Sequence, residues 1–324
     1  MKKLFVSILA VAALAACAKE EIVSMDKGEA IQFGNAFVNN AVRATDPSYG
    51  GAQGQKALTS FYLWGTVAAS NGTPVAIYAN DTVEGTVGTN VVDGKETHVW
   101  NCTTKTQYWI KDAKYNFAAL VNAGNVTLGS DLLPATVEFT ADGSTDLMYA
   151  RSTENITGKA SDNAPVNFTF GHLLSKVYIG VTNSSSTATG YSFLVKDIKI
   201  NAPKTGKYYI QNVVENEEAK VAGTWAATNG DYTFAEISVT GATAECAAEQ
   251  LLIPGAATIS FTVDIIYNKA TITTVDYSKE VSLAAATAYK FNIITSVGEP
   301  IQFSVTSHPT WATPTTPANG NISL

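Results

Sequence analysis

The residues best suited to acid–base or metal chemistry are three histidines, and they are widely spaced. His98 lies in a strand-like stretch, His172 precedes an apolar pair, and His308 stands beside Pro309. No two of them show the HxH or HxxxH spacing that brings two imidazoles to one metal. We therefore expect each histidine to have a structural role.

Other catalytic patterns are also missing from the sequence. It contains no GxSxG, no P-loop and no GxGxxG after a strand. Residues 142–146 (DGSTD) bear a weak likeness to a calcium loop, but they lack the EF-hand spacing and the terminal glutamate. An acidic turn before a strand is favoured there. We predict no catalytic residue, no metal site and no cofactor, and hence a protein that is not an enzyme.

Cys17 is the residue whose setting indicates a definite covalent chemistry. A short basic start precedes an apolar run that is too short to cross a bilayer but has the length of a signal-peptide core. The run ends in Leu-Ala-Ala directly before Cys17, which resembles the lipobox of bacterial lipoproteins. That resemblance implies removal of residues 1–16, acylation of Cys17 and anchoring at the outer membrane. Residues 17–29 are polar and are predicted to form a tether.

The charge balance limits the partners. The chain has 28 acidic and 21 basic residues, a formal net charge of −7 at pH 7. The signal segment carries two lysines and no acid, so the lipidated form is more acidic still. Nucleic-acid binding needs a basic face, and anionic lipid attracts basic segments. We exclude nucleic acid as a partner and expect membrane contact through the lipid anchor alone.

We expect the remaining cysteines and most aromatic residues to serve in core packing. Cys102 and Cys246 are expected in different domains, so two buried free thiols are favoured over a disulfide. The 14 Tyr, 13 Phe and 5 Trp could stack on sugar rings, but filling β-sandwich cores is favoured. Trp64 and Trp109 lie inside strand patterns and are predicted to be core residues.

The elements that must position these residues are strands. Apolar and polar residues alternate with period two in short runs separated by Gly, Asn, Asp and Pro, and no long amphipathic helix stands out. The segments at 108–110 and 114–118 are predicted to pair around a turn. The predicted strands cover residues 30–37, 61–64, 74–78, 108–110, 114–118, 136–139, 166–170, 173–182, 191–195, 198–201, 207–211, 258–267, 270–277, 288–294 and 301–305.

The strands fall into two groups. A stretch rich in Ser, Asn, Asp and Gly at 151–165 separates them and indicates a domain boundary. The predicted fold class is all-β, with two tandem β-sandwich (transthyretin-like) domains. These are an N-terminal domain over residues 30–160 and a C-terminal domain over residues 161–324.

Four local motifs follow one another in a fixed order. Residues 107–119 contain Gln-Tyr-Trp and then Tyr-Asn-Phe-Ala-Ala, and residues 145–150 read Thr-Asp-Leu-Met-Tyr-Ala. Residues 170–177 read Phe-Gly-His-Leu-Leu-Ser-Lys-Val, and residues 289–311 contain Tyr-Lys-Phe-Asn-Ile, Ile-Gln-Phe and a tryptophan. Together with the lipobox, these motifs resemble the fimbrillin family, the Mfa-like lipoproteins that form type V pili in Bacteroidales.

The resemblance implies a mechanism of assembly. Fimbrillin precursors reach the outer membrane as lipoproteins, and an arginine-specific protease cuts after the first strand, here between Arg43 and Ala44. Losing that strand, with Ile31, Phe33 and Phe37, would leave an apolar groove and unpaired backbone groups. A strand from another subunit would fill the groove by β-augmentation.

The C-terminal tail is the strand donor that the resemblance implies. Its candidate donor side chains are Ile322 and Leu324. Two prolines in residues 313–320 cannot donate in a ladder, which favours an anchor, tip or accessory subunit over the polymerising stalk. The expected partners are other fimbrial subunits, the protease and a host or bacterial surface ligand.

A second class of function remains open at this point, an outer-membrane lipoprotein that binds glycans for nutrient uptake. Such a protein must keep its lipid anchor, whereas a pilin must lose it. Digestion with an arginine-specific protease therefore discriminates the two.

Overall fold

A computed structural model of the chain describes residues 28–38, 58–69, 72–92, 95–185, 190–215, 218–240, 245–246 and 249–308. The regular elements in these ranges are β-strands, which confirms the all-β prediction. In the same ranges, no helix has the length and apolar character that crossing a membrane requires.

Ten strands precede residue 173. They are β1 Phe33–Val38, β2 Ser60–Ala68, β3 Val75–Val92, β4 Lys95–Cys102, β5 Lys114–Val121, β6 Val126–Leu128, β7 Pro134–Thr140, β8 Met148–Arg151, β9 Ile156–Thr157 and β10 Val166–His172.

Ten more strands follow. They are β11 Ser175–Asn183, β12 Tyr191–Glu215, β13 Glu218–Thr233, β14 Ile237–Val239, β15 Glu245–Cys246, β16 Gln250–Leu252, β17 Gly255–Tyr267, β18 Ala270–Leu283, β19 Ala288–Thr295 and β20 Gln302–His308.

The first sheet closes on itself. Its strand order is β2-β3-β4-β1-β10-β8-β5-β9, and β2 also pairs with β5, so the path returns to its start. In this ring β1 lies between β4 and β10, although it comes first in the sequence. β1 therefore closes the ring between β4 and β10.

The described residues form two further sheets. One has the order β15-β11-β19-β20, with β16 also on β11. The other has the order β18-β17-β12-β7-β6, with β13 and β14 on β12. The β17–β18 hairpin turns at Asn268 and Lys269, whose φ values of 46° and 70° suit a two-residue primed turn.

Strand pairing crosses the predicted domain boundary in both directions. β10 follows the boundary but belongs to the first ring, whereas β6 and β7 precede it and join the sheet of β12. The division at residues 160 and 161 stays a prediction.

Two clusters of buried apolar side chains form the core. One lies in the ring and includes Ile31, Phe33 and Trp109. The other is larger and includes Trp64 and Phe291. Both tryptophans predicted to be core residues are 3% exposed, which confirms that prediction.

The strand predictions were wrong in two places. Tyr108 bridges Ala30, whereas β5 pairs with β2, β8 and β9, so 108–110 and 114–118 are not partners. The predicted strands at 191–195, 198–201 and 207–211 are one strand, β12. Register shifts between Lys196 and Lys199 and after Pro203 accommodate the residues that suggested breaks.

Candidate strand-exchange groove

β1 forms a short parallel ladder with β10. Phe33 lies opposite Val166, Ala36 opposite Phe168 and Val38 opposite Phe170, with a register shift between Phe33 and Ala36. The period-two alternation of Val166, Phe168 and Phe170 directs these three apolar side chains to one face. β10 thus supplies both hydrogen-bonding groups and an apolar surface for the first strand.

The other edge of β1 is held near its N-terminal end. The Ile31 N–H donates to the Gln107 carbonyl at 2.8 Å, and the Trp109 N–H donates to the Glu29 carbonyl at 3.0 Å. Among the described residues, the register between β1 and β4 consists of Phe33 opposite Trp100. β1 is therefore paired on both sides before residue 34 and on the β10 side after it.

Apolar side chains fix the first strand in the ring core. Ile31 is 6% exposed, Phe33 8% and Ala36 4%. The Phe33 ring stacks on Phe168 at a centroid distance of 6.3 Å and meets Tyr78 edge-on at 5.8 Å. Burial of a side chain the size of Ile or Phe stabilises by roughly 1.5–3 kcal/mol. Ile31 and Phe33 therefore contribute most of the free energy that keeps β1 in the ring.

A cavity of about 330 Å³ lies beside β1, where residues 30–33 face residues 99–102. Tyr78 lines it, and burial raises the pKa of its hydroxyl. At its rim, Lys105 Nζ lies 2.9 Å from Asp81 Oδ2. Cys102, also in the lining, is a free thiol as predicted, but it is half-buried and not buried. The space shows that β1 and β4 separate immediately beside their shared register position.

Glu29, just before β1, is held by a loop of the ring. Its carboxylate accepts hydrogen bonds from the Asp162 N–H at 3.1 Å, the Asn163 N–H at 2.8 Å and the Asn163 side-chain amide at 3.1 Å. The Asn163 backbone bond is the main reason why the pKa of Glu29 lies below its ordinary value of 4.5. An anionic carboxylate thus holds the start of the strand.

The pattern of residues 62–309 matches the family model described as Fimbrillin-like. The chain belongs to the fimbrillin-like family. This family of fimbrial structural proteins is the one that the sequence motifs indicated. No curated protein matches this fimbrillin-like chain.

Several solved structures align with most of the fimbrillin-like chain, and one of them reaches a TM-score above 0.5. A fimbrial protein from Bacteroides vulgatus has a TM-score of 0.51 and 14% identity, covering 87% of this chain and 99% of its own. A candidate cell adhesion protein from Bacteroides uniformis has a TM-score of 0.46 and 16% identity, covering 89% and 99%. The fimbrial anchor protein Mfa2 from Porphyromonas gingivalis has a TM-score of 0.38 and 13% identity, covering 87% and 97%. At these identities the likeness concerns the fold alone.

The groove is the space between β4 and β10 that β1 fills. Of the predicted site residues, Ile31 and Phe33 lie in this groove, and the backbone of Phe37 lies opposite Thr169 of β10. The other predicted residues lie outside the described part of the fimbrillin-like chain: Cys17, Arg43, Ala44, Ile322 and Leu324. Their roles stay predictions.

Two of the residues first considered for chemistry, His172 and Asp142, have structural contacts, whereas the side chains of His98 and His308 lie outside the described part of the chain. His172 Nδ1 lies 2.6 Å from Asp146 Oδ2, and both side chains are buried. Asp142 accepts hydrogen bonds from the N–H groups of Ser144 and Thr145, each at 2.7 Å, as an acidic turn requires. The described residues contain no group of three potential metal ligands.

Sequence reasoning missed two parts of the groove in this fimbrillin-like chain. The β10 strand was recognised, but it was assigned to the C-terminal domain because it follows the polar stretch. Glu29 was assigned to the tether, because a single carboxylate gives no sequence signal for its partners 133 and 134 residues away. The period-two pattern from Glu29 through Ile31 to Phe33 was the available hint.

Proposed function

We propose that this chain is a structural subunit, or an accessory or tip adhesin, of a type V fimbria at the cell surface. It would be exported as an outer-membrane lipoprotein anchored at Cys17, cut between Arg43 and Ala44, and assembled with other fimbrial subunits by strand exchange. Membership of the fimbrillin-like family supports the fimbrial role. The position of β1 is the observation that carries the exchange mechanism.

β1 has the properties that a replaceable strand needs. It comes before the other strands in the sequence, yet it lies in the middle of the ring sheet. A cut after Arg43 would leave β1 attached by non-covalent contacts, which in the described residues are hydrogen bonds and the buried side chains of Ile31, Phe33 and Ala36. An entering strand could replace all of these contacts by β-augmentation.

The arginines of the sequence support a single cut. They are Arg43 and Arg151. Arg151 belongs to β8, its side chain is 11% exposed, and it lies 3.5 Å from Asp131 and 3.6 Å from Glu154. Proteases cleave extended, accessible segments, so the folded ring protects Arg151. The proposed protease therefore has Arg43 as its target.

Arg43→Lys in the full precursor tests the proposal, because it keeps the charge and removes the arginine. We expect an arginine-specific protease to convert the wild-type chain to a product that begins at Ala44 and that forms SDS-resistant oligomers when the other fimbrial subunits are present. The Arg43→Lys chain should stay uncut and monomeric. Mass spectrometry and gel electrophoresis measure both.

The matched control is Arg151→Lys, which should be cut and should assemble like the wild type. Oligomers of uncut Arg43→Lys chains would contradict the proposal, and so would cleavage of the folded wild-type chain at Arg151. The proposed donor side chains for a neighbouring subunit are Ile322 and Leu324.

A further inference from the structure

The loop that holds Glu29 is built independently of Glu29. The Asn163 side-chain oxygen accepts from the Lys159 N–H at 2.8 Å, and its amide donates to the Lys159 carbonyl at 3.0 Å. Asp162 has a φ of 58°, a conformation that aims successive N–H groups to one side. The loop thus keeps its shape through its own hydrogen bonds.

The same loop is anchored to the ring next to β5. The Gly158 N–H donates to the Ala113 carbonyl at 2.9 Å, and the Asp112 N–H donates to the Gly158 carbonyl at 2.9 Å. None of these three residues belongs to the segment that the proposed cut removes. Loss of residues 17–43 would leave the N–H groups of Asp162 and Asn163 in place without their carboxylate.

We propose that residues 159–163 form a carboxylate-binding site that selects the strand entering the groove. This inference rests on the proposed strand exchange and adds the chemistry of the partner. The segment that the proposed cut removes, residues 17–43, is called the leader below. Glu29 lies two residues before Ile31 and four before Phe33, the first two buried apolar residues in the described part of the leader. The fitting partner is an extended strand with an acidic side chain two positions before its first buried apolar residue.

The requirement for an acidic side chain distinguishes the strands that could enter the groove. Residues 309–324, which include the proposed donor residues, contain no Asp and no Glu. The tail of a second copy of this chain would bring no acidic side chain to the loop. The strand that occupies this groove is therefore expected to come from a different subunit.

Synthetic strands test the site on the full chain after cleavage at Arg43. The reference peptide has the sequence of residues 28–38, the second carries Glu29→Gln, and the third combines Glu29→Gln with Gln32→Glu. The third peptide keeps the net charge but moves the acid from position 29 to position 32, which is also exposed. Each competes with a fluorescent reference peptide for the groove, and fluorescence anisotropy gives the affinities.

We expect the reference peptide to bind about tenfold more tightly than both altered peptides, since charge-assisted hydrogen bonds are the stronger kind. In an Asn163→Ala protein the difference should fall to below about threefold, because contacting pairs are coupled. Equal binding of the first two peptides, or full recovery by the third, would overturn the site and leave strand exchange standing. If no peptide displaces the leader, strand exchange and the site both fall.

Discussion

Two strand pairs in the described residues are parallel and bury similar side chains, but they are held differently. β11 and β19 pair without interruption from Lys176 opposite Ala288 to Asn183 opposite Thr295, and β20 lines the other edge of β19. β1 and β10 pair with a register shift. Parallel pairing alone therefore does not decide whether a strand is permanent.

The difference lies in the second edge of each strand. β19 is paired with β20 from Ala288 opposite His308 to Ile294 opposite Gln302. β1 has Phe33 opposite Trp100 and the bridge of Ala30 to Tyr108. A strand held along both edges must break two ladders to leave. We therefore expect β19 to stay in place and β1 to be the strand that the proposed exchange replaces.

The largest expected effect comes from Phe291→Ala in β19. Phe291 is fully buried and contacts Tyr289 and Phe303. The free energy of unfolding should fall by about 3–5 kcal/mol, because the loss of a core phenylalanine leaves a cavity. Denaturant unfolding of the uncut and the cut chain should show the same decrease. A decrease confined to the uncut chain would contradict the permanent role of β19.

A smaller and different effect is expected from Phe33→Ala in β1. After cleavage at Arg43, the lost contacts with Tyr78 and Phe168 should weaken retention of the leader by about 3 kcal/mol, or roughly a hundredfold. The unfolding midpoint of the remaining chain, after the leader has left, should not change. Size-exclusion chromatography with a labelled leader measures retention. Unaltered retention of the leader would show that the Phe33 ring does not hold β1 in the groove.

The sequence predicted β1 as a strand but not its neighbours. The alternation of Ile31 and Phe33 with polar residues is a local property, so period two reveals it. The parallel pairing with Val166 of β10 joins segments more than a hundred residues apart, and no local pattern specifies such a partner. The sequence motifs that resemble the fimbrillin family suggested a detachable first strand. The structure shows where that strand lies in the ring.

The long hairpin of β12 and β13 shows a second limit of sequence reasoning. β12 continues through Pro203, whose carbonyl accepts a hydrogen bond from the Tyr232 hydroxyl at 2.8 Å. A proline and a Lys-Thr-Gly run normally indicate a break, yet a bulge after Pro203 lets the ladder continue. Tertiary pairing overrides local turn residues here, which is why one strand was predicted as three.

The smallest expected effect is a pH dependence of leader retention. It should come from Glu29, just before β1, and not from the apolar side chains of the strand. The Asn163 hydrogen bonds lower the pKa of Glu29 from 4.5, so the held state favours the charged carboxylate. Retention of the cut leader should be complete above pH 4.5 and should weaken severalfold as the pH falls through the lowered pKa. Anisotropy of a labelled leader between pH 7 and pH 3 measures this.

Glu29→Gln is the control for that titration. Its leader should be retained less at pH 7 and should show a flatter response to acid, because the titrating carboxylate is gone. The Phe33→Ala leader should keep the full response, since Glu29 is unchanged and apolar burial does not titrate. An equal acid response in wild type and Glu29→Gln would assign the effect to another carboxylate of the ring. The Asn163 contact would then have no measurable part in holding the strand.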